Sequence, residues 1–93
     1  MPQAIWNGVA IATSDRTVMV EGNHYFPPDS VDATLLCASD KTTRCPWKGT
    51  ANYYDVVVGD QVNSAAAWTY RDPRAKAAHI AGHIAFWGGV QVV

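Results

Sequence analysis

Short β-branched runs alternate with turn residues along the first third of the chain. Gly8-Val9-Ala10-Ile11-Ala12-Thr13 and Thr17-Val18-Met19-Val20-Glu21 read as strands, and Ser14-Asp15-Arg16 between them predicts an antiparallel hairpin. Gly22-Asn23 is turn chemistry. Each proline of Tyr25-Phe26-Pro27-Pro28 pushes its predecessor towards extended geometry, so that segment is a rigid connector. Asp29 or Ser30 is placed to cap a helix of one or two turns over residues 31–36, where Val31, Leu35 and Ala38 share a face.

Beyond residue 50 the pattern becomes more apolar. Ala51 to Val58 runs from aromatic to Val-Val-Val and reads as a strand, Gly59-Asp60 reverses it, and Val62 to Tyr70 returns as its partner. Alternation places Ala66, Trp68 and Tyr70 on one face and Ala65, Ala67 and Thr69 on the other. Asp72-Pro73 opens a short helix to about His79. Residues 84–87 and 90–93 about Gly88-Gly89 predict a closing hairpin. No linker or repeat interrupts the chain, so residues 1–93 read as a single domain: mainly β, a curved antiparallel sheet with two minor helices.

A chain of 93 residues buries only about 60 to 65% of its unfolded surface. Four Trp and four Tyr supply the aromatic burial that offsets roughly 1 to 2 kcal/mol of entropy per ordered residue. A net charge of −1 and a pI near 6.2 leave no basic stripe, which argues against nucleic acid and anionic membrane as partners. Residues 77–93 lack Asp, Glu, Lys and Arg, but two His, Gln91 and three Gly make them buried strands rather than a membrane span. Cys37 and Cys45 read as two separate thiols, and with no leader-like N-terminal segment the expected location is cytoplasmic.

The densest chemistry lies in Thr43-Arg44-Cys45-Pro46-Trp47-Lys48-Gly49-Thr50. A thiol near two cations is a candidate low-pKa nucleophile, while Pro46 and Gly49 fix the backbone around it. The plainer alternative makes Cys45 a small buried hydrophobe and Trp47 a core plug. A lysine between Trp and Gly gains little from packing, so Lys48 points to an ion pair or a ligand. Glu21, at a strand end, is the carboxylate to pair with it across a cleft. His79 and His83 have i, i+4 spacing, but Gly82 ends a helix between them and no metal site is expected. The nucleophile elbow, zincin helix, dinucleotide fingerprint and Gly-rich phosphate loop are all missing.

Val20 to Pro27, Thr43 to Gly49, Ala66-Ala67-Trp68-Thr69-Tyr70 and Ala85-Phe86 occur in the order and spacing of one family. From about Trp6 to Val93 the chain resembles domain-of-unknown-function family 427, and its Cys-Pro-Trp-Lys-Gly core carries most of the resemblance. The resemblance implies a β-tent, Mss4-like topology, in which two antiparallel sheets enclose a cleft. Many β-tent proteins hold zinc with two Cys-x-x-Cys pairs; Cys37 and Cys45 do not form that pattern, so the tent is expected without its zinc and without a cofactor. A nucleotidyltransferase label sometimes attached to the family has no matching motif here.

The leading expectation is a small-molecule-binding module, a cleft lined by Tyr25, Trp47, Trp68 and Tyr70 beside Cys45, with Lys48 and Glu21 orienting the ligand. A second reading is an enzyme that uses Cys45 or Lys48 covalently. The third is a self-associating or adaptor protein, in which residues 90–93 form an edge strand that pairs with another copy; the chain is expected as monomer or homodimer.

Overall fold

A computed structural model describes residues 1–93, and the chain is mainly β, with nine strands and three short 3₁₀ turns. β1 (Gln3–Trp6) and β2 (Val9–Thr13) pair across Asn7-Gly8, and β3 (Val18–Val20) and β4 (Asn23–Tyr25) pair across Glu21-Gly22. Both turns have two successive positive φ angles, 50° and 75° then 53° and 82°, the geometry whose twist matches a hairpin. Two short hairpins thus replace the expected one across residues 14–16. At that bend the Ser14 hydroxyl accepts the Arg16 N–H at 2.9 Å, a local turn that ends β2 and redirects the chain.

The expected helix over 31–36 is cut to 3₁₀ turns at Pro28–Ser30 and Ala33–Leu35, the second capped by Asp32 accepting the Thr34 N–H at 3.1 Å. Four antiparallel strands follow in the order β5 (Leu36–Cys45), β6 (Gly49–Val58), β7 (Gln61–Thr69) and β8 (Ile84–Phe86). The helix expected from Pro73 is a 3₁₀ turn at Ala75–Ile80. The closing hairpin does not form. A turn at Gly88-Gly89, held by Val90 N–H to Trp87 C=O, carries the chain off the sheet, and β9 (Gln91–Val92) pairs with β1 instead.

Tyr54, Ala67 and Phe86 are cross-strand neighbours on one face of the sheet, and the adjacent row Tyr53, Trp68 and Ala85 points to the other. Each face carries one core. The first joins Ile11, Phe26, Val56 and Phe86 beneath β1 and β2, and the second joins Tyr25, Tyr53, Tyr70, Ala77 and Ile80. Ala65 interrupts the expected alternation. It is a bulge at φ 52° whose N–H is taken by Asp55 at 2.7 Å and whose C=O is taken by the Trp87 indole at 2.6 Å. Ala66 therefore belongs to the first core, not to the face of Trp68 and Tyr70.

Phe26 and Ile84 exchange both backbone hydrogen bonds, at 2.8 and 2.9 Å, so the β3–β4 hairpin continues the sheet beyond β8. The extended order is β5-β6-β7-β8-β4-β3. Its two ends meet where the β5–β6 turn touches the β3–β4 turn through Lys48 and Glu21. The sheet is curled over its second core. No helix is long and apolar enough to cross a membrane.

Candidate functional site

The Cys45-Pro46-Trp47-Lys48-Gly49 run is the tip of the β5–β6 hairpin, with Cys45 opposite Gly49 in the ladder. Gly49 has φ +109°, a conformation that side-chain-bearing residues rarely adopt. It lies against the backbone of Asp72, Pro73 and Arg74, and the Arg74 N–H donates to the Lys48 carbonyl at 2.9 Å. The segment that opens the third 3₁₀ turn is docked on the hairpin tip. Sequence reasoning missed this contact, because nothing in either segment's pattern announces a partner more than twenty residues away.

Lys48 is 6% exposed. Its ammonium pairs with the half-exposed Glu21 carboxylate and lies 5.4 Å from the ring centroids of both Trp47 and Tyr70. Burial works against its charge, but the Glu21 hydrogen bond and the nearby Tyr25 and Tyr70 phenols outweigh that, and its pKa is raised. The Lys48 hydrogen bond holds the Glu21 carboxyl below its ordinary value, against a smaller cost of burial. Burial raises the Tyr70 phenol, and the Lys48 charge only partly offsets it.

Behind the ion pair the aromatic residues interlock. The Trp68 indole donates to the Tyr25 hydroxyl at 3.1 Å, with the two rings edge-to-face at 6.2 Å. Trp68 also meets Tyr53 at 6.3 Å and Trp87 at 6.2 Å, and Lys41 lies over the Tyr53 and Trp87 rings at 4.8 and 5.2 Å. Tyr25 and Tyr70 are buried. Glu21, Tyr25, Cys45, Trp47, Lys48, Trp68 and Tyr70 are thus linked through contacts in and beside the second core, but Tyr25 and Tyr70 are packed core residues rather than an open wall.

Cys45 is half-buried at the end of β5 and packs against the second core, whereas Cys37 is exposed; both are free thiols. Strand alternation sends Arg44 to the opposite face from Cys45. The expected Arg44–thiol proximity is therefore not formed by the backbone. His79 lies in the third 3₁₀ turn one residue before its end at Ile80, and His83 follows that turn, with Nδ1 3.2 Å from the Ala81 carbonyl.

Open space lies on the outer side of the hairpin tip. Pro46 and Trp47 from the turn, with Arg74, Ala75 and Lys76 from the docked segment, line a cleft of about 340 Å³. Trp47 links the two regions, since its ring is near the Lys48 ammonium and also forms a cleft wall. Arg74 and Lys76 were not legible as site residues. They follow a proline turn, where cations ordinarily read as a solvated surface.

A family profile described as a domain of unknown function, DUF427, matches residues 2–93. The chain belongs to the DUF427 family. A comparison with curated proteins finds no match. The DUF427 match spans both the Cys-Pro-Trp-Lys-Gly tip and the segment docked against it, so both walls of the cleft lie within the family's domain.

Proposed function

We propose that this DUF427 chain is a small-molecule-binding module whose ligand enters the cleft on the outer side of the Cys45–Gly49 hairpin tip. The observation that carries the reading is the cleft itself: about 340 Å³, near the lower end of ordinary ligand-pocket volumes, with one aromatic wall and two cations in its lining. The Lys48–Glu21 pair and the Tyr25–Trp68 contact are its supports. The first ties the tip to the β3–β4 hairpin with the Lys48 ammonium over the Trp47 ring, and the second ties β4 to β7 behind it; a tip anchored in this way loses less entropy when a ligand is bound. Closure of the curled sheet at that pair accords with the Mss4-like, β-tent topology that the family implies. The reducing cytoplasm suits two cysteines that stay thiols.

An enzyme in which Lys48 acts covalently is disfavoured, because an ammonium held protonated by Glu21 has no lone pair to attack with. Native mass spectrometry of the freshly purified protein tests the binding reading. A co-purifying small mass that is lost from Trp47→Ala is the expected result; a bare chain in the wild type, unchanged by incubation with a metabolite extract, would contradict it.

A further inference from the structure

We propose that the cleft takes a small aromatic oxyanion, with the ligand's ring against the Trp47 indole and its acidic group between Arg74 and Lys76. This rests on the binding reading above and names its ligand class. The chain has seven cationic side chains. Arg16 pairs with Asp29, Lys48 with Glu21, and Lys41 and Arg71 lie over aromatic rings. Arg44, Arg74 and Lys76 have no such partner, and two of those three line the same cleft. No carboxylate lines it.

The arrangement has a consequence for which ligands fit. Arg74 and Lys76 are like charges two residues apart, and an anion held between them relieves their mutual repulsion. Arg74 adds a planar fork that matches a carboxylate or phosphate edge, while Lys76 adds a mobile point charge. The backbone beneath them is fixed, since the Arg74 N–H is bonded to the Lys48 carbonyl. Trp47, 37% exposed, offers a flat apolar surface at the other wall. A bare inorganic ion would leave that surface unused, and a neutral ring would leave both cations unpaired.

The test is a ¹⁵N heteronuclear NMR titration of the full chain with phenyl phosphate, inorganic phosphate, benzyl alcohol and benzylamine. Expected are saturable shifts of the Trp47 indole N–H and the 74–76 amides with phenyl phosphate, weakened by added salt. Inorganic phosphate and benzyl alcohol should each bind at least about tenfold more weakly, and Arg74→Gln/Lys76→Gln should cost phenyl phosphate a similar factor. Both side chains are exposed, so the double variant should melt with the wild type. Benzyl alcohol or benzylamine binding as tightly as phenyl phosphate, or full binding by the double variant, would overturn the anion assignment while leaving the binding reading in place. Inorganic phosphate binding equally well would overturn the role of the ring. Absence of saturable shifts with all four probes, up to millimolar concentration, would overturn the aromatic-oxyanion assignment, while the binding reading itself stands or falls by native mass spectrometry.

Discussion

An ammonium buried to the extent of Lys48 needs more than one half-exposed carboxylate, and the Trp47 and Tyr70 rings supply the remainder. The asymmetry in burial yields an asymmetric expectation. Glu21→Gln strands a buried cation and should lower the melting temperature more than Lys48→Met, which leaves a carboxylate with access to water. A double-mutant cycle of Lys48→Ala with Glu21→Ala should be non-additive; additive losses would contradict the pairing. The pH dependence has a definite sign at each end. Glu21 has a lowered folded pKa, so its contribution is present above the ordinary value of 4.5 and is lost as pH falls through the folded value. Lys48 and Tyr70 have raised values, so theirs are complete below 10.5 and 10.0 and are lost as pH rises through the folded values. Urea unfolding across pH should therefore give a plateau that falls at both ends, with the acid fall shallower in Lys48→Met, where Glu21 has lost the partner that lowers its pKa. Parallel profiles for the two proteins would refute this assignment. Tyr25→Phe should cost about 1 to 2 kcal/mol, because the Trp68 indole N–H loses its acceptor.

Among the elements, the β5–β6 hairpin tip depends on Gly49. A methyl there would meet the 72–74 backbone at ordinary contact distances of 3.6 to 3.7 Å, so the penalty is conformational rather than steric. Gly49→Ala should destabilise by about 1 to 3 kcal/mol in chemical unfolding. Gly59→Ala, at φ +61° with nothing near it, should cost less, about 1 to 2 kcal/mol. Iodoacetamide labelling followed by peptide mass mapping should modify exposed Cys37 before half-buried Cys45. Faster labelling of Cys45 would favour an enzyme that uses its thiol.

The elements that the sequence made legible are those with a buried face. Ala51 to Val58 and Val62 to Thr69 were readable because their apolar runs fill the two cores. β5 was not, since an edge strand exposed along most of both faces has no hydrophobic period to read. The Asn7-Gly8 signal was present, but the β-branched run ahead of β3 drew the pairing to the wrong bend. The Lys48–Glu21 contact was legible, as a strand-end carboxylate facing a loop lysine. The second wall of the cleft was not, because Arg74 and Lys76 reach Trp47 only through the docking of their backbone on Gly49 and Lys48.

At the scale of the whole molecule, one sheet separates two cores and curls until its end hairpins meet. The first core, with β1, β2 and β9 over it, is built of aliphatic residues and Phe; the second holds Tyr25, Tyr53, Tyr70, Trp68 and Lys48 beneath the hairpin tips. Polar chemistry is thus concentrated on one side, and the cleft opens from that side's rim. A crystal soaked with phenyl phosphate shows whether this rim binds an aromatic oxyanion. Expected is electron density for the ring on Trp47 and for the phosphate beside Arg74 and Lys76, absent from Trp47→Ala crystals. Density over the Lys41, Tyr53 and Trp87 cluster instead, or an unoccupied cleft at saturating soak, would contradict that assignment.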